Sequence, residues 1–186
     1  MNHPVWPLLA ASLFVCLTAC GKAPLEEAVG KNDRDAVKAA IAEDGDVNQK
    51  ISGGDTPLLL AAKTGQSSSA QGLIEAGADI AVRDQDGNGV LHYAAQNGMT
   101  GICGLLIDKG ASLNDKGKDG ATPLHFAVTA GRQETAKYLV RRGADLAQKD
   151  DAGASALDVV ARTGDTRFQG DLELAARIRT NESGTK

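Results

Sequence analysis

The sequence predicts an all-α solenoid, a row of similar helix pairs, and three observations carry that prediction. Leu58, Leu91, Leu124 and Leu157 follow one another at a spacing of 33 residues, and Gly65, Gly98, Gly131 and Gly164 keep the same step. A period of that length is one supersecondary unit, repeated and stacked. Short helices are signalled at the unit starts: Pro57 and Pro123 stand where a first turn has no amide donor to lose, each after a Thr able to cap the orphan amides. Polar, Gly-bearing segments such as Arg83-Asp84-Gln85-Asp86-Gly87 and Lys149-Asp150-Asp151-Ala152-Gly153 join the units as turns. A stack of this kind has no central cleft reserved for chemistry, because each unit touches only its neighbours and leaves a long ridged surface free.

Taken in order, residues 1–19 stand outside the repeats. His3 is the only candidate cation before an apolar run from Leu8 to Leu17, and Met1 to Pro7 contains no Lys or Arg. About ten apolar residues followed by small ones read as a secretory signal, too short for a permanent membrane span. The ending Leu17-Thr18-Ala19-Cys20 resembles the lipobox of bacterial lipoproteins. That resemblance implies a diacylglyceryl group on the Cys20 thiol, cleavage before Cys20, and acylation of the new amine by a fatty acid such as palmitate. Residues 20–24 would then be the lipidated Cys and a short linker, whose four residues Gly21, Lys22, Ala23 and Pro24 reach roughly 14 Å at about 3.5 Å per residue. Gly21 rather than Asp follows Cys20. By the sorting rule of enteric lipoproteins this implies the outer membrane, facing the periplasm.

The repeat domain is expected over 25–180, in units of about 25–54, 55–87, 88–120, 121–153 and 154–180, with 181–186 a disordered tail. In each central unit a short, Ala-rich helix closes near the shared Gly. A second helix follows, turning the pairs Leu73-Ile74, Leu106-Ile107 and Leu139-Val140 inward. The end units are degraded as caps must be. Leu25, Ala28, Val37, Ile41 and Val47 supply an apolar face to the first, while Glu173 stands in the last where Ile74, Ile107 and Val140 stand in the others.

Thr122-Pro123-Leu124-His125, then Ala127, Gly131, Tyr138-Leu139-Val140 and Gly143-Ala144-Asp145 resemble the ankyrin repeat in order. Thr56-Pro57-Leu58 with Gly77-Ala78-Asp79, and Val90-Leu91-His92 with Gly110-Ala111-Ser112, match in part. The resemblance covers about Leu25 to Arg179 and implies an ankyrin-repeat solenoid of about five repeats, two of them degenerate caps. It also implies a non-enzymatic chain that binds another protein through its finger tips and the exposed face of its first helices. Carried onto this sequence, that surface comprises Gln85, Asp86, Asn88, Gln96 and Asn97 in one unit and Lys118, Asp119, Ala121, Thr129 and Ala130 in the next. Asp55, Lys63, Thr64, Asp151, Arg162 and Thr163 flank them. The strip reads as polar, mixed in charge and poor in the aromatic anchors that interface hot spots favour. A monomeric scaffold or adaptor in the bacterial envelope is the first functional expectation. An immunity protein holding a toxic periplasmic enzyme, or a helper of an oxidative-stress enzyme such as catalase, is the alternative.

Composition narrows the partners. Asp and Glu number 24 against 20 Lys and Arg, and the cations are dispersed with no interleaved aromatics, so nucleic acid is not expected. Of the three cysteines, Cys16 leaves with the signal, Cys20 is acylated, and Cys103 falls in register with Ala70 and Ala136 as a buried small residue, so no disulfide is expected. Asp84, Asp86, Asn88 and Gly89 mimic the opening of a calcium loop, but Ala95 stands where the bidentate Glu belongs. That segment reads as a polar turn. His92 and His125 lie one repeat apart, roughly 10 Å, with no third ligand. In ankyrin repeats this His bonds across neighbouring turns. Lys63-Thr64-Gly65 matches a short motif of penicillin-recognising enzymes by chance, since it falls at the repeat's central Gly. No metal, cofactor or catalytic group is expected.

Overall fold

A computed structural model of the chain describes residues 24–183 apart from 45 and 52. The expected signal and Cys20 lie outside the described residues. Among those described, ten α-helices and no strands form five helix pairs: α1 (Pro24–Gly30) with α2 (Arg34–Asp44), α3 (Pro57–Lys63) with α4 (Ser67–Glu75), α5 (Val90–Gln96) with α6 (Thr100–Asp108), α7 (Pro123–Thr129) with α8 (Gln133–Arg142), and α9 (Ala156–Thr163) with α10 (Thr166–Ser183). Each first helix packs on the next first helix, and each second helix on the next second helix, so the chain is a two-layered stack.

Helices of seven or eight residues are below the length that is stable alone in water, so packing must hold them. Leu58 and Leu124 are fully buried and Leu91 nearly so, while Ala61, Ala94 and Ala127 beside them are small enough to let neighbouring helices close up. Leu157 is only half-buried, because among the described residues α9 packs on a first helix at one side only, α7. The second layer repeats the arrangement with Leu73, Leu106, Leu139 and Leu172, all fully buried. Of the apolar pairs expected to face inward, Ile107 is the exception at half-buried, and Glu173 is exposed on the cap.

Thr56 caps α3 as expected, its Oγ1 accepting the Leu59 N–H at 3.3 Å. Gly65, Gly98, Gly131 and Gly164 have φ of +73°, +73°, +67° and +75°, a left-handed turn that a β-carbon penalises and that swings the chain into the second helix. Two boundaries differ from expectation. Helix α1 begins at Pro24, where the fixed φ suits a first turn. Helix α10 runs to Ser183, three residues into the expected tail, since neither Gly nor Pro interrupts 171–183.

Four finger turns project from the stack. In each, an amide bonds the carbonyl four residues on: Ile51 to Asp55 at 3.0 Å, Asp84 to Asn88 at 3.0 Å, Gly117 to Ala121 at 2.9 Å and Asp150 to Ala154 at 2.9 Å. Asp84 and Asp150 also cap their own turns through Oδ1, accepting the N–H of Asn88 at 2.9 Å and of Ala154 at 2.8 Å. Gly117 has no carboxylate to offer. Asn88, at the end of the preceding finger turn, fills the space, its Oδ1 accepting the Lys118 N–H at 2.8 Å.

Candidate functional site

The first helices and the fingers together wall a groove along the stack. Two residues after each repeated Leu come Leu60, Tyr93, Phe126 and Val159, all half-buried, and three further on come Lys63, Gln96, Thr129 and Arg162. This apolar row places two aromatic rings, Tyr93 and Phe126, in a strip expected to be poor in them. The Tyr93 and Phe126 rings meet edge to face with centroids 6.3 Å apart, and His92 meets Phe126 in the same way at 5.2 Å. The 33-residue register could have found them, because every third or fourth position of an inward helix is spoken for and the position two beyond the buried Leu must face the groove.

The N-terminal half of the groove is occupied by its own side chains. Lys63 Nζ bonds both oxygens of Asp55 at 3.0 and 2.9 Å, lies 3.5 Å from Asp84, and stands 5.4 Å above the Tyr93 ring. The Tyr93 hydroxyl donates to Asp84 and accepts from Asn88 Nδ2 at 3.2 Å. Burial opposes ionisation of Asp84, yet the hydrogen bonds from Tyr93 and the Asn88 amide, with Lys63 nearby, hold its carboxyl below the usual range. Burial likewise works against the charge on Lys63, and the bond to Asp55 together with the nearby charges of Asp55 and Asp84 outweighs it, raising that amine. With its oxygens engaged in this way, Asp84 serves the turn. Among the described residues no group of three His, Cys, Asp or Glu side chains is placed to hold a metal.

These contacts sort the residues assigned to the partner surface. Asn88 is 3% exposed and is corrected from a contact residue to a link between fingers: its side chain occupies the space that Gly117 leaves in the next finger and bonds the Lys118 amide. Asp55, Lys63 and Asn97 are half-buried. The first two are paired with each other, and Asn97 Nδ2 donates to the carbonyls of Ala62 at 2.8 Å and Lys63 at 3.2 Å. Thr64 and Thr163 are exposed but bond back to their own helices, through the carbonyls of Leu60 and Val160. Gln85, Asp86, Gln96, Lys118, Asp119, Thr129, Asp151 and Arg162 are exposed, and Ala121 and Ala130 half-buried. Of these, Asp86 and Lys118 pair across adjacent tips at 3.4 Å.

The C-terminal half of the groove is open. Gln96, Ala121, Phe126, Thr129, Val159 and Arg162 are among the walls of a cavity of about 480 Å³, within the range of pockets that hold a ligand. Lys118, Asp119 and Asp150 reach it from the fingers. Gln96, Lys118, Asp119, Ala121, Thr129, Ala130 and Arg162, all expected at the partner surface, share these walls with His125, Phe126, Asp150 and Val159, which were not.

Both histidines bond across turns. His92 Nδ1 accepts the Gly89 N–H at 3.1 Å and its Nε2 lies 3.1 Å from the Asp115 carbonyl. In His125 the same atoms meet the Thr122 N–H and hydroxyl at 3.2 and 2.8 Å and the Ala154 carbonyl at 3.1 Å. A carbonyl only accepts, so Nε2 carries the proton in each neutral ring. Burial depresses the His92 pKa below its usual 6.5. The unfolded chain therefore binds this proton first, and stability falls as pH drops below about 6.5. Thermal melts from pH 7.5 to 5 should show that decline, with a shallower slope in His92→Gln; equal slopes would remove His92 as a cause. Cys103 is fully buried, and burial pushes its thiol up to about 12, which makes it an inert packing residue.

No curated protein matches the chain. A family model described as ankyrin repeats, three copies, matches residues 5–84 and 70–150, well over half of the length. Ankyrin repeats mediate protein–protein interactions, and this chain belongs to the ankyrin-repeat family.

Proposed function

We propose that the chain is a non-enzymatic adaptor of the bacterial envelope, tethered by lipid at Cys20 and holding another protein in the C-terminal half of its groove. One observation carries the binding half of this reading. The Phe126 and Val159 side chains stay half-open at the base of a cavity whose polar walls, Gln96, Thr129 and Arg162, are exposed. An aromatic and an Arg in one concave site are the residue types on which interface energy concentrates. The tether rests on the lipobox resemblance of Leu17-Thr18-Ala19-Cys20. Among the described residues no helix is long and apolar enough to cross a membrane.

Two variants separate the halves of the proposal. Thr129 is exposed and makes no side-chain hydrogen bond to a described residue, so Thr129→Arg should fill the groove without unfolding the stack. Affinity purification from solubilised membranes should lose the partner in this variant while the melting temperature stays within a degree or two of wild type. Retention of the same partner would place the binding face elsewhere. Cys20→Ser should move the protein from the membrane pellet to the soluble fraction or leave it unprocessed. Identical fractionation of variant and wild type would end the lipoprotein reading.

A further inference from the structure

The charges around the open cavity are not equally engaged. Lys118 Nζ sits 3.4 Å from Asp86 across the finger tips, and Asp150 Oδ1 accepts the Ala154 N–H at 2.8 Å. Asp119 and Arg162 make no side-chain hydrogen bond or ion pair with a described residue; the charge of Arg162 acts on Asp158 only at a distance. Asp119 belongs to the finger, in a 3-10 turn at Lys118–Gly120. Arg162 belongs to α9, three residues after Val159, so its stem lies on the same helix face as the apolar wall. Its counterpart at the N-terminal end of that row, Lys63, is neutralised by Asp55 and Asp84. The groove thus offers one cation with no partner among the described residues, beside the cavity that Phe126 and Val159 line.

Resting on the groove reading above, we propose that this cavity receives a large apolar side chain of the partner protein and that Arg162 takes a carboxylate on the neighbouring partner residue. The apolar side chain lies on Phe126 and Val159, between the walls supplied by Gln96 and Thr129. A guanidinium presents a planar fork of donors that fits the two oxygens of a carboxylate, and it stays charged at every physiological pH. The chain's net charge of −4 repels acidic partners at long range, so the preference arises from this local contact and from no general attraction. A segment with a basic residue in the same place would meet Arg162 head on, although Asp119 at the finger would favour it. The two readings therefore predict opposite charge preferences.

Three capped tetrapeptides, acetyl-Gly-Trp-X-Gly-amide with X as Glu, Gln or Lys, are the probes. Each is titrated into the full 186-residue chain, with backbone amide shifts read by NMR. The Glu peptide should shift Thr129, Ala130, Val159 and Arg162 and bind about fivefold tighter than the Gln peptide, the scale of a partly exposed ion pair. The Lys peptide should bind weakest. Raising salt should erase the difference, Arg162→Gln should abolish it, and Arg162→Lys should restore part of it. Circular dichroism melts of both variants should match wild type, because Arg162 holds no ion pair in the fold. Equal affinities, or tighter binding of the Lys peptide, with shifts still in the cavity overturn the carboxylate assignment and leave the groove reading standing. Shifts confined to other faces, or none for any peptide, overturn both.

Discussion

Leu124→Ala should cost about 2–5 kcal/mol of unfolding free energy, the range for truncating a buried Leu whose surroundings collapse only in part. Leu124 is fully buried in α7, a helix that packs against α5, α8 and α9 at once, so the cavity opens where three contacts meet. In a stack held by nearest-neighbour interfaces, weakening a central one also uncouples the two ends. Urea unfolding should show a lower midpoint and a broader or two-step transition. The same substitution at Leu157 should cost less and leave the transition single, since that side chain is only half-buried on the end unit. An unchanged curve for Leu124→Ala would mean that the unit interfaces do not hold the fold.

Asn88→Ala should cost about 1–3 kcal/mol, because it strips a partner from the Lys118 amide and from the Tyr93 hydroxyl and leaves both less satisfied in a half-buried setting. Gly117→Ala should cost a similar amount by overpacking: a β-carbon there would collide with Asn88 Oδ1 and come within 3.1 Å of His92 Nε2. The two substitutions should not add. Once Asn88 is truncated, the clash that makes Ala intolerable at 117 is largely gone, so the double variant should be more stable than the sum of the singles by more than about 0.5 kcal/mol. Chemical denaturation of the four proteins measures this coupling. Strict additivity would mean that Asn88 does not bridge the fingers, and the case for removing it from the partner surface would fall with it.

Most of the fold was legible because it is periodic. A step of 33 residues marks the buried Leu58, Leu91 and Leu124 of the first helices, the left-handed Gly that follows each, and the buried Leu73, Leu106 and Leu139 of the second helices. The groove was legible in part, for a physical reason. Exposure of a polar side chain depends on its neighbours in the adjacent unit, and sequence adjacency does not report them. Asn88 looked like a finger-tip contact and is buried because Gly117, almost a full repeat away, leaves it room. Lys63 and Asp55 looked free and neutralise each other. Tyr93 and Phe126 sit two residues beyond a repeated Leu, where a short helix turns an apolar side chain from the core toward the groove, and an apolar residue there reads in the sequence as one more core position.

Photocrosslinking tests the central claim, that a partner protein is held in the C-terminal half of the groove, most directly. A photoreactive phenylalanine analogue is placed singly at Gln96 and Thr129 in the groove and at Glu134, which is exposed on the second-helix layer, in cells that make the full chain. Irradiation should join the same protein to the chain from Gln96 and from Thr129 and give no adduct from Glu134. An adduct formed from Glu134 while both groove positions stay silent would contradict it.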